Sequence, residues 1–229
     1  MVNTSRHYSI FDPVTWGKRR IDVIGVGATG SRVAISLAKL GVQNLHVWDD
    51  DVVEEHNIAN QAYRLDVDLG VKKVTAISHA IEQATGSRVM IHRQRWERGM
   101  PLGPVVFCMV DSMTARQAVF DDVRHRPGVK LVLDSRMGAD TGHLFTYSPH
   151  DSDSLEHYEQ TLYSDDDAIT EVSACGTSIS VGPTADIIAG LLVWRFIHFA
   201  REIIDPTAER LAHVEMAFGA GVEPSLVAV

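Results

Sequence analysis

The chain has 229 residues, 45% hydrophobic and 22% charged, which places it among ordinary globular domains and away from disordered sequences. A formal charge of −9 argues against a sequence-independent grip on nucleic acid, and the absence of any apolar run of about 18 residues argues against a membrane span. With only Cys108 and Cys175, and with His46 and His56 at no useful spacing, a structural zinc site is not expected, and the reading is a soluble, cytoplasmic protein in a reducing compartment.

Short apolar runs alternate with longer amphipathic segments, the pattern of a mostly parallel sheet with crossover helices. A first strand is predicted over 21–26. The helix after it runs from Ser31 to Leu40 with Val33, Leu37 and Leu40 on one face, and Gly41 stops it. "NLHVWD" is the second strand. A helix over 71–84 and a strand near 89–92 follow, then the buried strand "PVVFCMV", which makes Cys108 a core residue. A helix over 114–124 and the strands "VKLVLD" and "GHLFTYS" close the sheet. Residues 151–167 carry seven acidic side chains and no Lys or Arg, and read as a solvated loop or helix face. A long apolar helix begins near Pro183, and "GAGVEPSLVAV" reads as a poorly ordered tail.

Gly25-x-Gly27-x-x-Gly30 lies between a predicted strand and a helix, the context in which a glycine loop cradles phosphate. Gly25 permits a tight turn, and the lack of side chains on Gly27 and Gly30, with only a methyl on Ala28, lets main-chain N–H groups approach a phosphate at the helix N-terminus. Asp49, at the end of the second strand, stands where a carboxylate accepts from ribose hydroxyls. NAD and ATP both offer such a ribose, so these residues alone leave the nucleotide open.

Beyond Asp49 the chain resembles the ThiF/MoeB/HesA family, bacterial relatives of ubiquitin-activating enzymes. Five ordered pieces spread over residues 20–200 carry the resemblance: "GVGATG", "DDD" at 49–51, "HNIANQ" at 56–61, "GVKKV" at 70–74 and "DSMTAR" at 111–116. It implies a doubly wound, Rossmann-like α/β fold with a C-terminal crossover loop and long helix. An N-terminal segment (1–20), an ATP-binding adenylation domain (21–205) and a tail (206–229) follow from it. The implied activity is adenylation, with Mg-ATP, of the C-terminal carboxylate of a small ubiquitin-like or sulfur-carrier protein that has a flexible C-terminus. A homodimer is expected.

By the same resemblance Asp111 holds Mg²⁺, a hard cation that takes oxygen ligands, unless it caps the following helix. Lys73 neutralises phosphate charge, unless it is an exposed lysine of a first helical turn and Lys72 fills the role. Asn57 contacts the phosphates or forms a loop turn; Asp51 supports the nucleotide site or is an exposed loop carboxylate, and Ser112 belongs to the nucleotide site. Where the family carries Arg in an Asn-x-x-Arg-Gln segment, this chain has Asn60, and Arg64 one turn later is the candidate replacement if the segment is helical. "RHYSIFDP" keeps Tyr8 but has Ile10 where the family lends an arginine to its partner subunit, with Arg6 nearby. Cys175, among small residues ahead of the final helix, matches the crossover-loop cysteine that accepts the activated carrier in some members; the alternative is a packing cysteine. No Cys-x-x-Cys occurs, which suggests a minimal member. Two other classes stay open: a catalytically reduced nucleotide-binding module, favoured by Asn60, and an NAD-dependent oxidoreductase, for which no paired His or Tyr-x-x-x-Lys element is present.

Overall fold

A computed structural model describes residues 2–139, 141–167, 180–204, 214–219 and 222–228. Strands β1 (Ile21–Ile24), β2 (Leu45–Trp48), β3 (Met90–His92), β4 (Val105–Cys108), β5 (Leu131–Met137), β6 (Gly142–Tyr147), β7 (Val214–Gly219) and β8 (Val222–Ala228) form one sheet in the order β3-β2-β1-β4-β5-β6-β7-β8. The first five in chain order pair in parallel and the last three join antiparallel. Between them lie α1 (Pro13–Trp16), α2 (Ala28–Leu40), α3 (Lys73–Thr85), α4 (Met113–Val123), α5 (Ser152–Gln160) and α6 (Gly182–Ile204).

Every residue of β1 and β4 is buried, as in a parallel sheet covered on both faces. Alternate side chains therefore feed two cores. Ile21, Val23, Val105, Phe107 and Leu133 pack with the buried residues of α2, α3 and α6; Ile24, Val106, Cys108 and Val132 pack with those of α4 and α5. This is the doubly wound arrangement. β1 lies between β2 and β4, so the chain leaves it in opposite directions on the two sides. The crevice beyond the C-terminal ends of β1 and β4 is the switch point at which such sheets bind ligands.

Local chemistry accounts for the element ends. Gly41 adopts φ +101° and its N–H closes on the Leu37 and Ala38 carbonyls, so α2 stops where the sequence predicts. Its start is earlier than expected, at Ala28, because glycine itself serves as the N-cap. The long apolar helix α6 buries Ile188, Leu192 and Phe196, and Trp16 locks it by an edge-on contact with Phe196 and an indole N–H to the Ala200 carbonyl (3.2 Å). In the acidic stretch Asp151 caps α5 through the N–H groups of Asp153 and Ser154, while Tyr158 turns inward against Phe120 and Tyr147. The closing residues, expected as a tail, instead carry β7 and β8; Phe218 stands opposite Gly142 of β6, so the hairpin extends the sheet. That pairing joins segments far apart in sequence, and no local pattern announces it.

Candidate functional site

The glycine loop follows β1. Gly25 has φ +89°, and a Cβ there would lie 2.5 Å from the Met109 carbonyl oxygen at the end of β4, so turn and close approach both require glycine. A Cβ on Gly30 would stand 2.0 Å from the Gly25 carbonyl oxygen; this glycine lets α2 sit down on the loop. At Gly27 a Cβ would meet no protein atom within 4 Å. Gly27 is thus bare toward open space at the N-terminus of α2, with Ala28 as the first helical residue, and main-chain N–H groups there are available to an anion.

One residue of this loop, Val26, is held on both sides. Asp49 Oδ2 accepts from the Val26 N–H (2.9 Å), and the Tyr63 hydroxyl donates to the Val26 carbonyl (2.5 Å). Asp49 Oδ1 accepts from the Asp51 N–H (2.8 Å). Burial raises the Asp49 pKa, opposed by these two main-chain donors and by Lys73, so a ligand hydroxyl that donates to its remaining lone pairs favours the ionised form. Ser31 adds a further tie between loop and 57–64 segment, accepting from the Ala62 N–H (3.2 Å).

Asp49, Asp50 and Asp51 each place a carboxylate oxygen within 4.8 Å of the others. Lys73 is buried, with 9% of its side chain exposed, and its Nζ lies 2.8 Å from Asp51 Oδ2 while its N–H donates to the Asp51 carbonyl (3.0 Å). The exposed-lysine alternative is therefore not what the structure has. Lys72 instead donates to the Asp50 carbonyl. A cavity of about 310 Å³ opens here, lined by Asp50, Asp51, His56, Asn57, Lys72 and Lys73 among others.

On the other side of the crevice Asp111 follows β4, exposed and without a hydrogen bond to its carboxylate among the described residues. It does not cap α4: Ser112 does, accepting from the Ala115 N–H (3.2 Å). Asp165, from the acidic stretch, takes the two remaining donors of that helix end, the Met113 N–H (2.5 Å) and the Thr114 N–H (2.9 Å), and its carboxyl is held below the usual range by the Thr114 hydroxyl and these N–H groups. Beneath Asp111 lies Arg116, 4% exposed at its side chain. Its guanidinium bonds Asp134 (2.8 Å), the Val110 carbonyl (2.8 Å) and the Ser135 carbonyl (3.0 Å), and Tyr158 closes the network on Asp134 (3.0 Å). Arg116 fixes the turn that presents Asp111; the spacing in "DSMTAR" is the signal that marks it.

The remaining predicted residues divide. Asn57 is buried and its Oδ1 accepts from the Glu54 N–H (3.0 Å), so it holds the turn that precedes the site. Asn60 donates to the Ser180 hydroxyl, and its Oδ1, like Gln61 Oε1, is a buried acceptor with no hydrogen-bond partner among the described residues. The segment after Gln61 is not helical, which removes the reason for placing Arg64 over Asn60. Arg64 is half exposed; its N–H donates to Asp68 (2.7 Å) and its Nε lies 3.9 Å from the same carboxylate. Cys175 lies outside the described residues. Cys108 is in the core, where burial pushes its thiol up to about 12, so it is no nucleophile. Sequence reasoning passed over Arg32, in the second turn of α2. Its Nη1 donates to the Asn60 carbonyl (2.7 Å) and the Ala28 carbonyl (3.0 Å), and its Nε pairs with Asp186 of α6 (2.5 Å). A single cation in "GSRVA" gives no signal of this.

The profile of the ThiF family matches residues 14–223. An uncharacterized protein, y4qC, of Sinorhizobium fredii (strain NBRC 101917 / NGR234) is 42% identical over 65 residues, which are 28% of this chain and 11% of that relative. Among solved structures, E. coli MccB with AMPCPP and MccA superposes with a TM-score of 0.70 at 13% identity, covering 94% of this chain and 65% of MccB. MccB with ATP gives the same values. PaaA superposes with a TM-score of 0.68 at 16% identity, over 93% of this chain and 64% of PaaA. The chain thus spans just under two thirds of these structures and about a tenth of the curated relative. At such identities the structural likeness shows the fold.

Proposed function

The chain belongs to the ThiF family, and from that premise we propose that it binds ATP with Mg²⁺ and adenylates a carboxylate. The acceptor in this reading is the C-terminus of a small ubiquitin-like or sulfur-carrier protein, and the working form is a homodimer. The observation that carries the proposal is a convergence at the strand ends. The bare N-terminus of α2, the carboxylates of Asp49–Asp51, the buried Lys73 at the start of α3 and the exposed Asp111 all lie on the connections that follow β1, β2 and β4.

These groups fit the nucleotide and the metal. Gly27 leaves room for a phosphate where a Cβ would otherwise project. Asp49 accepts from the ribose, and Lys73 turns a buried positive charge toward the phosphates. Asp111, with a carboxylate from the 49–51 cluster, offers the hard oxygens that Mg²⁺ prefers. Bound Mg²⁺ supplies neutralisation of phosphate charge. The reaction is a displacement at the α-phosphorus: a carboxylate oxygen of the acceptor forms the new P–O bond, the bond to the bridging oxygen breaks, and pyrophosphate leaves. Positioning and charge neutralisation lower such a barrier most. Cys175, if the acyl group moves onto it, would displace AMP as a thioester forms.

A second reading, nucleotide binding without the chemistry, is favoured by the uncharged Asn60 and by the engagement of Arg64 with Asp68. Two measurements separate the classes. ATP with Mg²⁺ should raise the melting temperature and NAD should not, since a ligand stabilises only the state it binds. Exchange of labelled pyrophosphate into ATP, in the presence of candidate carrier proteins or peptides, then tests the adenylation step. Stabilisation by NAD alone would defeat the proposal; ATP binding without exchange on any carboxylate would favour the second reading.

A further inference from the structure

We propose that Arg32 is the arginine that meets the nucleotide's phosphates in this chain, an assignment that rests on the ATP-binding reading above. Its position follows from helix geometry. Side chains on a helix lean toward its N-terminus, and Arg32, in the second turn of α2, reaches back to the Ala28 carbonyl (3.0 Å) at the phosphate end of that helix. The same nitrogen donates to the Asn60 carbonyl (2.7 Å), so the guanidinium lies against the residue whose own side chain carries no charge. Gly182 makes room for it: a Cβ there would stand 3.2 Å from Arg32 Nη2 and 3.4 Å from the Ala59 carbonyl oxygen.

The electrostatics support the assignment. Two neutral carbonyls orient the guanidinium without cancelling its charge. Its counter-charge in the described structure is Asp186, whose side chain is 65% exposed against 16% for Arg32. An ion pair with a solvated carboxylate is weak, so Asp186 gives way readily to a phosphate of higher charge. Arg64 is committed elsewhere: it lies with Asp68, whose side chain is only 5% exposed. Lys73 approaches from the opposite segment, beside Asp51. Arg32 and Lys73 then flank the phosphates from two sides of the glycine loop.

Isothermal titration of the full chain with Mg-AMPCPP and with adenosine tests this, because adenosine reports the base and ribose contacts alone. Arg32→Gln should weaken AMPCPP by about 10- to 100-fold, the loss of a charge-assisted contact, and leave adenosine affinity unchanged. Arg32→Lys should recover part of the loss, since it keeps the charge but cannot reproduce the fork that joins α2 to residue 60. Asp186→Asn should bind AMPCPP at least as tightly as the parent. Equal losses for both ligands, with no recovery by lysine, would mean that Arg32 only braces the fold and would overturn the assignment. So would unchanged AMPCPP binding in Arg32→Gln. A parent chain that binds adenosine and AMPCPP equally would remove the phosphate site itself, and the proposed function with it.

Discussion

Gly27 and Gly30 belong to one motif, yet the structure assigns them opposite tasks, and a pair of substitutions separates them. At Gly30 an added Cβ would lie 2.0 Å from the Gly25 carbonyl oxygen, 3.0 Å from the Gly25 carbonyl carbon and 3.1 Å from Met109 Cβ. Carbon contacts are comfortable near 3.5–4.0 Å, so α2 must retreat from the loop by more than about 1 Å. Overpacking of this kind costs about 1–3 kcal/mol, which for a chain of this size lowers the melting temperature by roughly 2–12 °C. At Gly27 nothing lies within 4 Å of the added atom. Gly27→Ser adds a small side chain to that open space, so its stability should stay within about 0.5 kcal/mol of the parent. Its side chain would, however, occupy the approach to the helix N-terminus and compete for the same N–H donors. Gly30→Ala should therefore unfold at lower temperature with or without nucleotide, whereas Gly27→Ser should melt like the parent alone but lose most of the stabilisation by Mg-AMPCPP. Scanning calorimetry with and without Mg-AMPCPP reads both. Full stabilisation of Gly27→Ser by the nucleotide would show that phosphate does not dock on this loop.

Asp111→Asn should leave the apo melting curve within about 0.5 kcal/mol of the parent, because the carboxylate is exposed and accepts no hydrogen bond among the described residues, while pyrophosphate exchange is lost. Arg116→Met should destabilise by about 3 kcal/mol in urea unfolding, the low end for breaking a buried pair, since Arg136 remains 3.5 Å from Asp134. Replacing Asp134 with Leu in the same chain should restore part of that loss, and no recovery would show that the charge left on Asp134 is not the cause. His46 and His92, whose ring nitrogens lie 3.0 Å apart, both have pKa values lowered, chiefly by burial and next by Arg20. The unfolded chain then binds protons more readily, so stability should be complete above the ordinary histidine range and fall as pH drops through about 6.5. Urea midpoints measured across that range should show a shallower fall in His46→Asn, and an unchanged slope would refute the assignment to this pair.

The half of the fold that carries the candidate site is legible because its signals are local. Gly25, Gly30 and Gly41 sit where main-chain geometry permits little else, and the apolar runs of β1 and β4 are continuous because helices cover both faces. The features that escaped depend on residues distant in sequence. β7 and β8 are defined by pairing with β6, and the acidic stretch acquires structure because Tyr158 finds Asp134 and Asp165 finds the end of α4. Arg64 would stand over Asn60 only with helical spacing after that residue, and the chain there turns instead toward Asp68. Arg32 looks like any solvent-facing residue of α2 until the Asn60 carbonyl and Asp186 are brought beside it.

The clamp on Val26 has a consequence for the kinetics of recognition. A glycine-rich turn is ordinarily the loosest stretch of a domain, and ordering it would consume part of the affinity of any ligand. Here the N–H and the carbonyl of the central residue are both occupied, by Asp49 and by the buried hydroxyl of Tyr63. The turn is set before a nucleotide arrives. Hydrogen exchange at the Val26 amide should accordingly be as slow as in the neighbouring strand, and docking should proceed without a slow rearrangement of the loop. Removing only the Tyr63 hydroxyl would convert that rigid receptor into one that must be shaped by its ligand, a change visible in the association rate before it is visible in the equilibrium.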